Sequence, residues 1–184
     1  MLTSNPFDGE RRAGSVGFPL PGVDLRLAPG AGDGPGEIEV RGPNVYAGYL
    51  DRPEATAAAF DDGWFRTGDL GDVDADGYLH IVGRSKELII SGGFNVFPRE
   101  VEVVLRNCPG VVDACVVGVP DHEWGERVTA FVVGGASDDE LRAWSTEHLV
   151  AYKRPRRWER IDDVPRNSMG KVQRDVLVRR ATGS

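Results

Sequence analysis

From Lys86 onward the apolar residues recur with two distinct periods. KELIIS (86–91), DACVVGV (113–119) and RVTAFVV (127–133) are short apolar or alternating runs between turn signals, and each predicts a strand. In FPREVEVVLRNC, Val101, Val104, Leu105 and Cys108 fall on one helical face, with Pro98 near the start. Ser137 and Glu140 have the spacing of a capping box, opening a helix that turns Leu141 and Trp144 inward. WERI (158–161) predicts a further strand and QRDVLVRRA a short terminal helix.

The first eighty or so residues have another texture, rich in glycine and proline and poor in helical period. VDLRL (23–27), GEIEVRG (36–42) and YLHIVGR (78–84) predict strands, and DADGY (74–78) a tight turn feeding the last of them. PEATAAAF (53–60) predicts a short helix with proline in its first turn. The change of pattern near Arg84 to Lys86 predicts two pieces. Residues 1–84 should form a β-barrel-like subdomain, residues 85–86 a connection, and residues 87–184 a compact α/β domain.

Of the 184 residues, 40% are hydrophobic and 28% charged, which suits one large globular domain or two small ones. The net charge of −7 gives no global basic field, which argues against a nucleic-acid partner. Only Tyr152 to Arg160 is locally basic, with Lys153, Arg154, Arg156, Arg157 and Arg160; it reads as a solvated loop or as a patch for a phosphorylated ligand. Cys108 and Cys115 lie in apolar surroundings without CxxC spacing and read as buried thiols in a reducing compartment. No apolar run approaches the roughly 20 residues of a membrane span. MLTSNPFDGERR lacks the apolar centre of a signal peptide, so no membrane association and a cytoplasmic location are expected.

Three polar segments carry candidate chemistry. In WFRTGDL (64–70), Asp69 could accept hydrogen bonds from both hydroxyls of a ribose, or simply cap a turn. In GRSKELIISGGFNVFPREVE (83–102), Arg84 offers a fork of donors, and Gly92–Gly93 allow either close approach of a ligand or a plain turn. In PRNSMGKVQR (165–174), Lys171 is a compact charge on a flexible stem, suited to neutralising a phosphate or a developing negative charge.

GEIEVRGPNVYAGYLDRPEAT, GWFRTGDLGDVDADGYLHIVGRSKELIISGGFNVFPREVE, VVGVPDHEWGERVTAFVV and PRNSMGKVQR, taken in order, resemble the adenylate-forming superfamily of acyl-CoA synthetases, luciferases and peptide-synthetase adenylation domains. KELIISGGFNVFPREVE is most similar to the acyl-CoA synthetase version, and TSNPFDGERRAGSVGFPLPGVDLRL is similar to malonyl-CoA (methylmalonyl-CoA) synthetases. The resemblance implies a mixed fold: the β subdomain that ends a large AMP-binding domain, then a small mobile α/β carboxyl-terminal domain. Asp69 matches the carboxylate that holds the ribose of ATP and of the acyl-adenylate, and Arg84 the neighbouring nucleotide-binding arginine. Lys86 takes the hinge position, Gly92 and Gly93 the loop lining the pantetheine tunnel, and Lys171 the lysine that bridges substrate carboxylate and phosphate. Arg11 and Arg12 become candidates for pairing a second substrate carboxylate.

The implied reaction activates a carboxylate, malonate or methylmalonate, as its adenylate and transfers it to CoA, releasing pyrophosphate and AMP. ATP, CoA and Mg2+ are implied, with the Mg2+ ligands and the phosphate loop expected in an amino-terminal domain that the chain does not show. The fragment alone is therefore expected to be inactive. A lysine acetyltransferase acting on Lys171 is a further implied partner. Two other readings stay open at this point: a stand-alone module binding an adenylate, CoA or a partner, and a ligase for medium- or long-chain acids.

Overall fold

Strand-to-strand register shifts shape the first half of the chain. The computed structural model describes residues 1–28 and 35–183, which divide into two units, Met1–Lys86 and Glu87–Ser184. In the first unit, β1 (Thr3–Ser4), β2 (Ser15–Pro19), β3 (Asp24–Ala28), β4 (Gly36–Arg41), β5 (Phe60–Asp61), β6 (Trp64–Val73) and β7 (Leu79–Arg84) form one antiparallel sheet. Its order is β1-β2-β7-β6-β4-β3, with β5 paired to β6, and the helix α1 (Pro53–Ala59) precedes β5. Irregularities between Ser15 and Gly17, Glu37 and Glu39, and Leu70 and Gly71 add local twist. The sheet therefore curls into a partly closed half-barrel over Val23, Ile38, Val40 and Leu79.

The second unit is built on β8 (Ile89–Ser91), β9 (Phe94–Val96), α2 (Pro98–Arg106), β10 (Val111–Asp121), β11 (Gly125–Gly134), α3 (Asp138–His148), β12 (Arg157–Arg160) and α4 (Arg174–Thr182). The sheet order is β10-β11-β8-β9, and β12 joins β11 in parallel. Successive side chains of a strand point to opposite faces, and both faces here are apolar. Ala114, Val116, Val128 and Val132 pack beneath α2 and α3, meeting Val101, Leu105 and Leu141. Cys115, Val117 and Phe131 pack on the other face against Leu177 and Ala181 of α4. Burying a side chain of this size contributes about 1.5–3 kcal/mol, so the near-continuous apolar runs of β10 and β11 supply most of what holds helices to both sides.

Local signals end the helices where the sequence places them. Ser137 Oγ accepts from the Glu140 amide at 3.3 Å, while Glu140 Oε2 accepts from the Ser137 amide at 2.7 Å. Trp144 Nε1 donates to the Val104 carbonyl at 2.9 Å, locking α3 onto α2. Besides the strands β1, β2 and β5, which the sequence pattern did not predict, three elements differ from expectation. Ser85–Glu87 form a single 3-10 turn, so the strand expected over KELIIS starts only at Ile89. Phe94–Val96 is a strand, because Gly92 and Gly93 (φ 57° and 81°) form a two-residue hairpin turn. WFRTGDL lies within the ten-residue β6, where polar residues and Gly68 (φ 73°) mask the strand. No helix among the described residues is long and apolar enough to cross a membrane.

Candidate functional site

The bulge in β6 places the first candidate pair. Thr67 Oγ1 donates to the Ile38 carbonyl at 2.7 Å and accepts from the Asp69 amide at 3.1 Å; the Gly68 amide donates to Glu37 at 3.2 Å. So fixed, Asp69 stands directly across from Arg84 on β7, and Arg84 Nε meets its carboxylate at 2.7 Å. Asp69 is three-quarters shielded, whereas half of the Arg84 side chain is exposed. The pair sets a carboxylate beside a half-exposed guanidinium, an acceptor and a fork of donors of the kind that a ribose and its phosphates engage.

Arg12 lies elsewhere in the same unit and is already engaged. It pairs with Asp74 at 2.5 Å, Asp76 at 2.9 Å and Glu10 at 3.3 Å, and its guanidinium lies 4.3 Å from the centre of the Tyr78 ring. These hydrogen bonds, led by the one to Glu10, hold its charge well above the ordinary guanidinium range. Desolvation would raise the Asp74 carboxyl, but His80, the Tyr78 amide and Arg12 pull it below the usual range. Turning Arg12 toward a substrate would cost its pairs with Asp74, Asp76 and Glu10. Arg12 thus closes a turn, whereas Arg11, the other arginine read as a substrate contact, is exposed.

In the second unit, Gly92–Gly93 turn beside an aromatic platform. The Gly92 amide donates to the Trp124 carbonyl at 2.8 Å, and a Cβ on Gly92 would lie 3.0 Å from the indole, whereas Gly93 faces open space. Trp124 sits in the β10–β11 turn, held by Asp121, which accepts from the Glu123 and Trp124 amides and pairs with Arg127. Arg156 lies over the same indole at 3.5 Å. Across the basic run, Lys153 pairs with Glu100, Arg154 donates to Leu149 and Thr146 carbonyls, Arg157 pairs with Glu159, and Arg160 with Asp138. Among the described residues only Arg156, exposed, has its guanidinium on an aromatic face with no carboxylate or carbonyl partner. The basic run is mostly structural and leaves one available cation.

Lys171 occupies a separate hairpin that is braced from within. Asn167 Oδ1 accepts from the amides of Met169 (3.0 Å) and Lys171 (2.9 Å), and the Asn167 amide donates to the Lys171 carbonyl at 2.9 Å. The left-handed turn falls on Gly170 (φ 78°), where glycine avoids strain. Lys171 itself is exposed, and its ammonium has no carboxylate partner among the described residues. Asp69 and Arg84 thus belong to one unit, and Gly92, Gly93 and Lys171 to the other, with Lys86 the last residue before the division.

Residues 100–171 match the AMP-binding enzyme C-terminal domain, a match that ends on Lys171. The chain carries an AMP-binding enzyme C-terminal domain. It is 47% identical over 191 residues to a sulfoacetate–CoA ligase of Cupriavidus necator, a match covering 97% of this chain and 37% of that protein. A feruloyl-CoA synthase of Amycolatopsis is 47% identical over 92% of this chain and 36% of its own. Among solved structures, ATP-bound MatB from Rhodopseudomonas palustris matches with a TM-score of 0.91 and 44% identity, covering 98% of this chain and 38% of that one. The chain thus spans less than two-fifths of the length of these relatives.

Beneath the Lys171 loop, the second unit buries a polar network that the sequence did not announce. Glu102, 4% exposed on α2, accepts from the Val116 amide at 2.9 Å and from Arg174 Nη1 at 2.6 Å. Arg174 Nη1 also reaches the Val116 carbonyl at 2.8 Å and Cys115 Sγ at 3.0 Å. The only advance hint was a charged residue inside each apolar helical pattern. No group of three or more His, Cys, Asp or Glu side chains suited to a metal occurs among the described residues. Burial pushes the Cys115 thiol up to about 12, against the opposing charge of Arg174, and burial also raises Cys108. Because the thiolate is the nucleophile, neither cysteine should react with iodoacetamide at pH 8 in the folded protein, and both should react in denaturant; mass spectrometry reads the count, and alkylation of native Cys115 would contradict this burial.

Proposed function

We propose that this chain is the carboxyl-terminal part of an ATP-dependent acyl-CoA ligase that first joins a carboxylate to AMP and then passes the acyl group to CoA. The observation that carries the reading is an exposed lysine without an acidic partner, presented on a braced loop. A lysine free of acidic partners is available to a ligand charge.

In the first half-reaction a carboxylate oxygen bonds to the α-phosphorus of ATP as the bond to the pyrophosphate oxygen breaks. Lys171 supplies positive charge where negative charge gathers between the carboxylate and the phosphate, while Asp69 and Arg84 hold the ribose. In the second half-reaction the sulfur of CoA attacks the acyl carbonyl and AMP leaves. Gly92 and Gly93 then line the path of the pantetheine arm, and Arg156 on Trp124 offers an aromatic-backed guanidinium for a CoA phosphate. The pivot between the two arrangements is Lys86. Mg2+ accompanies the triphosphate and draws its ligands from outside these residues. Acylation by a lysine acetyltransferase would delete the Lys171 charge. Two free, buried cysteines suit a reducing cytoplasm.

In the complete protein, Lys171→Ala should lower adenylate formation, read by pyrophosphate exchange, by the ~10²–10³-fold typical of one lost electrostatic contact. Thioester formation from supplied acyl-adenylate should stay within about twofold of the parent, because the charge is no longer needed once pyrophosphate has left. Equal damage to both half-reactions would reject the role.

For the acid, we propose malonate or methylmalonate, on the resemblance of residues 3–27 to malonyl-CoA synthetases and with Arg11 as the exposed candidate for the second carboxylate. A desolvated second carboxylate needs a paired cation, and a guanidinium can meet it with two hydrogen bonds. The relatives named above act on different acids, so a substrate panel decides: kcat/KM should be highest for malonate or methylmalonate, and a higher value for acetate, propionate or a longer fatty acid would refute the assignment.

A further inference from the structure

Arg174 begins α4 three residues after Lys171, in a place where helix electrostatics disfavour a cation: the amino terminus carries the positive end of the macrodipole. Its surroundings show what the position gains. Besides Glu102, Val116 and Cys115, the guanidinium holds a second carboxylate, Nε donating to Glu87 Oε2 at 3.1 Å. Burial alone would lower the charge of Arg174; the hydrogen bond and charge of Glu102, with Cys115 and Glu87, hold it above the usual guanidinium range instead.

Glu87 is the first residue of the second unit, directly after Lys86. Its partner therefore joins the residue next to the division to the base of the Lys171 hairpin. The other strand of that hairpin is tied in the same manner. Arg166 donates to Asp113 Oδ2 at 2.9 Å, and Asp113 Oδ1 is held at 2.8 Å by Arg106 of α2. The two strands are closed on each other by the Arg166–Val172 bridge and by the Gln173 amide, which donates to the Pro165 carbonyl at 2.8 Å. Glu102, itself buried, is the closer carboxylate at 2.6 Å from the part-buried Arg174. Glu87 is about one-quarter exposed, and its pairing with Arg174 is one of four contacts to that guanidinium.

We propose that Glu87–Arg174 is a positioning pair, fastening the chain immediately after the Lys86 pivot to the Lys171 loop so that rotation at Lys86 carries the lysine as part of one rigid body. The proposal rests on the adenylation role of Lys171 given above. Neither residue of the pair touches the reacting atoms; both act through the loop.

The test uses the complete protein with Glu87→Ala and, as the milder change that keeps a neutral acceptor, Glu87→Gln. Glu87→Ala should slow pyrophosphate exchange about tenfold, the scale of loss expected when a catalytic group is displaced by a fraction of an ångström. Thioester formation from supplied adenylate should remain within about twofold, and Glu87→Gln should fall between the parent and Glu87→Ala. In a Lys171→Ala background, Glu87→Ala should cost nothing further, since the pair acts only through that lysine. A structural role would instead slow both half-reactions and persist without Lys171, and either result overturns the proposal. Amide hydrogen exchange over residues 166–172 separates failure of the pair from failure of the functional reading. Faster exchange in Glu87→Ala supports the coupling even if Lys171→Ala proves silent, and unchanged exchange overturns it.

Discussion

The buried polar network of the second unit is arranged around one ion pair, buried Glu102 with part-buried Arg174. A carboxylate on the inner face of α2 would be untenable alone; leaving one partner of a buried pair uncompensated costs about 3–5 kcal/mol. The Val116 amide and carbonyl complete the pair's hydrogen bonds from β10, so helix α2, strand β10 and the start of α4 are fixed by the same few atoms. Apolar residues on both faces of β10 and β11 supply the bulk of the cohesion. Replacing the ion pair by a well-packed apolar pair could be equally stable. What the polar version adds is direction: it sets where α4 begins, and hence where the loop before it stands.

That constraint changes how the lysine loop is understood. A polar, glycine-bearing segment suggests a flexible arm, yet Asn167 braces its turn and Arg166 and Arg174 anchor its two flanks. Only the Lys171 side chain is left free to search. A charge on a rigid mount loses little entropy when it engages a ligand, and under the proposed role a large displacement of the lysine would be a displacement of the whole unit.

Regular repetition made much of this legible in advance. The face of Val101, Val104, Leu105 and Cys108, the Ser137–Glu140 cap and the apolar runs of β10 and β11 each carry a local period, and the structure forms them. Strand β6 was hidden because Gly68, in a left-handed conformation, breaks the alternation that would reveal a strand; Asp69 pairs with Arg84 just before a shift of register at Leu70 and Gly71. Arg12 shows the opposite limit. Its partners Asp74 and Asp76 lie some sixty residues away, and no local rule distinguishes an arginine that closes a turn from one that binds a substrate. The link between Glu87 and Arg174 spans a still longer stretch of chain, so only the folded arrangement shows it.

The rigid mounting of Lys171 can be measured as a distance. Met169, at the tip of the loop, and Val112, in β10 beside the Asp113 that anchors the loop, are 86% and 76% exposed, and Leu50 of the first unit is 89% exposed. Spin labels on cysteines introduced at these sites in the complete protein, with native Cys108 and Cys115 buried and inert, allow pulsed dipolar spectroscopy in the presence of ATP and then of acyl-adenylate with CoA. The account predicts that the 169–112 distance stays fixed while the 169–50 distance changes between the two conditions. A 169–112 distance that shifts or broadens with ligand, beside a constant 169–50 distance, would show that the loop moves on its own and would contradict the account.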